Sequence, residues 1–211
     1  MEQVNLGKRV AKALAVSERI VDAAEVLFDK KGVAATSLVH IAAEAKVSTG
    51  TVFSYYPAKA DLIKAILERQ PTKFSLKDLS SGAVLTPEDA MEQIKAIIGR
   101  AVESATKNAQ GVGAAWSAAQ IDAKFAKWWE REQSRRWNEL KTFTTLWAER
   151  GLLKPNLTAV QATDILWSMT GPLVFRAFVR DSGWNVEQYE VWLKTVLYRE
   201  VLGVGTPPEL R

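Results

Sequence analysis

The side chains that could do chemistry in this 211-residue chain are few, and they point away from catalysis. His40 is the single histidine and there is no cysteine, so nucleophile–base triads and Cys- or His-based metal sites lack parts. There is no glycine-rich phosphate loop, and the carboxylates are scattered at helical spacing with no pair set for acid–base work. His40 suits a surface position or a phosphate neighbour better than a general base. The informative residues lie between Thr36 and Lys59, TSLVHIAAEAKVSTGTVFSYYPAK. They read as two short helices around a tight turn, the layout of a DNA-reading helix-turn-helix. On the second helix Thr49, Gly50, Thr51, Ser54 and Tyr55 fall away from the apolar positions. Short hydroxyl side chains let a helix come close to a groove and can bond base edges or phosphates. Thr36 sits at a helix N-terminus, where amide N–H groups favour a phosphate. Lys59 is placed as a further phosphate contact.

Positioning those residues requires a small helical frame. Ser17 is the expected cap of a first helix in which Ile20, Ala23, Ala24, Leu27 and Phe28 recur at helical spacing, closed by Lys30-Lys31-Gly32. Thr36 or Ser37 caps a second helix through Ala45, Ser48 opens a third stopped by Pro57, and Lys59 to Gln70 forms a fourth. Ile41, Ala42, Val52 and Tyr56 are the inward positions that dock the two short helices against Phe28.

The rest also reads as helix. Pro71 to Thr86 is the expected link, and Thr86-Pro87-Glu88-Asp89 has the cap, first-position proline and acids of a helix start. That helix runs to about Asn108. Gly111 and Gly113 mark a break, a short helix covers Ala114 to Ile121, and a long one runs from Ala123 to Arg150, ended by Gly151 and Pro155. Two last helices cover 159–181, with a kink at Gly171-Pro172, and 186–202. The expectation is an all-α protein of about nine helices. Its domains are an N-terminal three-helix helix-turn-helix domain over residues 1–60 and a C-terminal ligand-binding and dimerisation domain over 61–211, with the fourth helix, 59–70, as connector.

Charge adds little. The net +4 divides into +2 over residues 1–70 and +2 over the remainder. Two acid-free basic stretches, one holding Lys8, Arg9 and Lys12 and the other Lys46 and Lys59, fall at the DNA-binding end. No apolar run is long enough to span a membrane, and the first residues lack a signal peptide's apolar core, so a cytoplasmic protein is expected.

The segment from Ser17 to Glu68 resembles the N-terminal domain of the tetracycline-repressor (TetR/AcrR) family. IVDAAEVLFDKKGVAATS and IAAEAKVSTGTVFSYYPAKADLI stand where that family has its first helix, its helix-turn-helix and the start of its fourth helix. The resemblance implies DNA contacts at Thr36, Ser37, Ser48, Thr49, Gly50, Thr51, Phe53, Ser54, Tyr55 and Lys59. Two departures stand out. Lys46 occupies a turn position usually held by glycine; a left-handed lysine there costs of order 1 kcal/mol, offset by a phosphate contact. Phe53 replaces a tyrosine and cannot bond a phosphate.

All eight tryptophans lie at Trp116 or later, in what the resemblance makes the sensing and dimerising half. Aromatics either line a pocket for a flat or cationic ligand or pack an ordinary core. Pocket candidates are Trp116, Phe125, Trp129, Phe143, Trp147, Trp167 and Met169, with Gln120 as polar anchor. Glu132 and Arg136 are spaced as an ordinary surface pair. Relatives dimerise through their last two helices, which here offers Val174, Phe178, Tyr189, Trp192, Val196 and Leu197. The implied function is a homodimeric, ligand-responsive, non-enzymatic transcriptional regulator. It acts as a repressor released from a palindromic double-stranded DNA operator by an apolar or aromatic small molecule, with no cofactor, metal or membrane partner. Regulation by a partner protein, constitutive action, and a helical small-molecule binding module without a DNA role stay open as alternatives.

Overall fold

The computed structural model describes residues 2–69, 86–107, 115–116, 118–120 and 122–203. The expected link from Pro71 lies outside the described residues up to position 85, as do Gly111, Gly113 and the ends of the helix expected over Ala114–Ile121. All regular elements among the described residues are helical. The chain divides into two compact units, Met1–Gln70 with Gln110–Lys127, and Pro71–Ala109 with Trp128–Arg211.

The first unit contains α1 (Glu2–Ala35), α2 (Leu38–Glu44), α3 (Thr49–Tyr55) and α4 (Lys59–Glu68). The expected start at Ser17 is overturned, because α1 reaches back to Glu2. The preceding Ala, Lys, Arg and Leu residues are good helix formers. The Ser17 hydroxyl instead shares a 2.7 Å hydrogen bond with the Tyr56 hydroxyl at the end of α3. The other end is as expected: Gly32 adopts φ 78°, open to glycine at no steric cost, and breaks the helical path behind Lys30 and Lys31. Ile20, Ala24, Phe28, Ile41, Val52, Leu62 and Ile63 are buried and form the core under the short helices. At the end of α4, Arg69 pairs with Asp22 and Glu25 of α1.

The second unit is built on α5 (Pro87–Lys107), most of α6 (Ala123–Glu149), α7 (Ala159–Met169), α8 (Pro172–Phe175) and α9 (Val186–Leu197). The last two continue into π-helical turns, Arg176–Asp181 and Tyr198–Leu202. Thr86 and Asp89 cap α5 reciprocally, with the Asp89 amide donating to Thr86 Oγ1 at 3.2 Å and the Thr86 amide donating to Asp89 Oδ2 at 2.9 Å. Gly151, at φ 66°, ends α6, with the Leu152 amide reaching back to the Trp147 carbonyl at 2.9 Å.

The core of this unit gathers Ile94 and Ile98 from α5, Phe143 and Trp147 from α6, Leu166 from α7 and Leu193 and Leu197 from α9. Two polar pairs are matched inside it. Trp147 Nε1–H donates to Gln93 Oε1 at 2.7 Å, and the hydroxyls of Thr144 and Thr163 share a 2.6 Å bond.

The kink expected at Gly171-Pro172 is a complete break. Gly171 is extended, at ψ 144°, and Pro172 starts a new helix. A Cβ on Gly171 would lie 2.9 Å from the Ser168 carbonyl oxygen, so glycine lets the chain turn tightly over the end of α7. Among the described residues no helix is long and apolar enough to cross a membrane.

Candidate nucleic-acid interface

The turn between α2 and α3 fixes the angle of α3, and Lys46 makes it. Ala45 caps α2, Lys46 follows at φ 54°, its amide reaches the Ala43 carbonyl at 3.2 Å, and the Val47 amide reaches Ala42 at 3.0 Å. This is a Schellman closure with lysine at the position glycine favours. The left-handed conformation anticipated from the sequence is therefore present. The Lys46 side chain is exposed, and the Arg19 guanidinium makes a long 3.5 Å contact with its carbonyl.

Caps set both short helices. Ser37 Oγ accepts the His40 amide at 3.2 Å while His40 Nδ1 accepts the Ser37 amide at 3.4 Å, so His40 closes a capping box. Ser48 Oγ accepts the Thr51 amide at 3.0 Å and shares a 2.8 Å bond with the Thr51 hydroxyl. Ser54 Oγ donates to the Thr51 carbonyl at 2.9 Å.

These bonds change the roles of several expected contacts. Thr36 is buried, and its hydroxyl donates to the Gly32 carbonyl at 2.9 Å, so its side chain is not on the surface. Lys59 turns inward as well: Nζ donates to the carbonyls of Val33 at 2.7 Å and Thr36 at 3.0 Å, closing the backbone behind the Gly32 break. Ser48 and Thr51 hold the helix start. What α3 presents outward is Gly50, Phe53, Ser54 and Tyr55, with Thr49 half-buried at its first position and Ser37, Val39 and His40 exposed on α2. Phe53 is 50% and Tyr55 37% exposed, while Val52 on the opposite face is fully buried. Sequence reasoning missed Val39, which is 59% exposed on α2; its place off the apolar stripe was the signal.

The effector candidates are divided between the two units. Trp116 is 56% exposed and Gln120 is exposed, and both group with Phe125 in the first unit. Phe143 and Trp147 are closed core. Trp129, Trp167 and Met169 are half-buried in the second unit. The expected Glu132–Arg136 pair is replaced. Glu132 bonds Arg135 at 2.8 Å, and Arg136 turns inward to the Thr170 hydroxyl at 2.6 Å.

Two dimer candidates are also corrected. Tyr189 and Leu197 are buried within their own unit, Tyr189 donating to the Met169 carbonyl at 3.3 Å. Val174, Phe178, Trp192 and Val196 remain half-buried, and Leu173 and Val191 are exposed beside them.

Comparison with known proteins agrees with this geometry. Residues 20–66 match the family model described as bacterial regulatory proteins, tetR family. The HTH-type transcriptional repressor Rv3405c of Mycobacterium tuberculosis is 37% identical over 87 residues, 41% of this chain and 46% of that protein. The match thus spans about half the length of such curated relatives. SmeT in complex with triclosan superposes with a TM-score of 0.71 at 18% identity, over 93% of this chain and 97% of that one. NalD, the secondary repressor of the MexAB-OprM multidrug efflux pump in Pseudomonas aeruginosa, gives 0.67 at 24%, over 90% and 98%. AibR in complex with isovaleryl coenzyme A and operator DNA gives 0.65 at 16%, over 88% and 99%. These structural likenesses are likenesses of fold. The matched segment runs from within α1 to within α4, so residues 20–66 are similar to the DNA-binding segment of tetR-family bacterial regulatory proteins, and the fold is shared along the chain.

Proposed function

We propose that the protein is a homodimeric transcriptional repressor that grips a palindromic DNA operator through α3 and leaves it when a small molecule occupies the second unit. The observation that carries this reading is the outward face of α3. Gly50, Phe53, Ser54 and Tyr55 are exposed on a helix whose buried Val52 and capped start fix its orientation. Two aromatic side chains held in water by a rigid frame are suited to contact with thymine methyls and groove walls. Lys46 and the exposed end of α2 supply phosphate contacts. Two such heads must enter successive major grooves about 34–36 Å apart, so a second copy is required. Its seat is the face of α8 and α9 carrying Leu173, Val174, Phe178, Val191, Trp192 and Val196. SmeT with triclosan and AibR with an acyl coenzyme A support small-molecule control of the same fold.

Selection of bound duplexes from a random pool tests the reading. A palindromic site should be enriched, and binding to it should fall steeply with salt. Phe53→Ala and Tyr55→Ala should each weaken the selected site by about 5–100-fold without lowering the melting temperature. Failure to enrich a palindrome, or variants that bind like the parent, would sink it.

A further inference from the structure

The second unit holds a cluster of donors with too few acceptors. Arg136 on α6 turns its guanidinium away from the surface, and its one hydrogen bond to a described residue is the 2.6 Å contact with Thr170 Oγ1. That hydroxyl is itself committed as a donor to the Leu166 carbonyl, also at 2.6 Å. Beside it lies Trp167, whose ring centroid is 5.9 Å from the Arg136 guanidinium carbon. The Trp167 Nε1–H is buried and has no acceptor. Such orphaned donors are rare in folded proteins and cost free energy unless something fills them.

The charges are unbalanced in the same direction. Arg100 of α5 and Glu139 of α6 pair at 2.8 Å, so the two guanidiniums share one carboxylate and leave a net charge of +1. Burial, then repulsion from Arg100, draws the Arg136 guanidinium down to about 10, against a smaller opposing pull from Glu139. Glu132, the acid one turn before Arg136, is engaged by Arg135.

We infer that Arg136 and the Trp167 indole N–H form the anchor for the carboxylate of an organic monoanion, the effector of this unit. The inference rests on the proposed regulatory reading and gives its ligand a chemical class. A guanidinium offers paired N–H donors that match the two oxygens of a carboxylate, and the indole supplies a third donor. One negative charge balances the surplus, whereas a phosphate dianion would exceed it. The half-buried Trp167 ring and Met169 on α7 give an apolar body something to lie against. This differs from the flat or cationic, apolar or aromatic effector expected from the tryptophan content alone.

The competing role for Arg136 is structural. Thr170 caps α7, and a cation near a helix C-terminus is favourable. Thermal denaturation of the full-length protein without DNA separates the two. The probes are benzoate, phenylacetate and octanoate, each beside its neutral amide at matched ionic strength. At least one carboxylate should raise the melting temperature in proportion to its concentration, as binding linkage requires, and its amide should not. Arg136→Met should weaken that carboxylate by at least about tenfold and Trp167→Phe by about 2–10-fold. In free protein, Arg136→Met should leave the melting temperature unchanged or higher, because it removes a buried charge without a bonded counter-ion. The inference is overturned if no carboxylate stabilises the protein, if the amides do so equally, or if Arg136→Met lowers the melting temperature by several degrees. A carboxylate that binds through Arg136 yet leaves operator affinity unchanged would uphold the site and refute the regulatory role of this unit.

Discussion

Replacing Lys46 with glycine should make the protein more stable and bind DNA less well, and the two effects can be separated. Lys46 sits at φ 54° in the closure of α2. A side chain in the left-handed region costs about 1–2 kcal/mol. Glycine avoids that cost but gives back about 0.5–1 kcal/mol through the greater freedom of its unfolded chain. The net gain is about 0.5–1 kcal/mol, which for a chain of this length raises the melting temperature by roughly 1–4 °C. Lys46→Ala is the control, since it removes the same charge and keeps the Cβ and its strain. Both variants lack the proposed phosphate contact, so both should lower the slope of log affinity against log salt by about 0.9 for each Lys46, about 1.8 for a bound dimer. Circular dichroism at 222 nm reads the stability, and fluorescence anisotropy with labelled operator reads the slope. A glycine variant no more stable than the alanine variant would refute the strain argument. An unchanged salt slope in both would refute the phosphate contact.

Lys59→Met should lower stability by about 1–3 kcal/mol, because the Val33 and Thr36 carbonyls lose a charged donor, while leaving the salt slope alone; a reduced slope would return Lys59 to the DNA. Gln93→Leu leaves the buried Trp147 Nε1–H without its acceptor and should cost about 1–3 kcal/mol. Adding Trp147→Phe should cost less than the two single changes summed, which a double-mutant cycle in denaturant measures. Burial pushes the Tyr189 hydroxyl up to about 12. The unfolded chain therefore releases this proton first, near pH 10, and stability present below pH 10 should drain away as pH rises toward 12. Tyr189→Phe should flatten that slope in alkaline denaturation; an unchanged slope would assign it to other groups.

The helix-turn-helix was legible because its signals are local. Ser37 and Ser48 cap where short polar residues precede apolar periodicity, and the turn at Lys46 was implied by the family resemblance, which puts glycine at that position. What was not legible depends on partners distant in sequence. Thr36 and Lys59 look like surface polar residues, yet the carbonyls exposed by the Gly32 break draw both inward. Tyr189 and Leu197 lie on the apolar stripe of α9, but periodicity cannot say whether that stripe faces its own unit or a second copy. Arg136 at four residues from Glu132 fits a surface pair; Arg135, one position earlier, takes the acid instead.

The inward turn of Lys59 also bears on how the protein would respond to amine-reactive reagents. Lys30, Lys31 and Lys46 are exposed and should acylate early, whereas Lys59 is half-buried with its nitrogen donating to two carbonyls. A mass-spectrometric time course would therefore rank the lysines by structural engagement rather than by their order in the chain. The late event at Lys59 is not a neutral label. An acylated nitrogen loses its charge and two of its donors, and the junction between α1 and α2 opens as it is recorded.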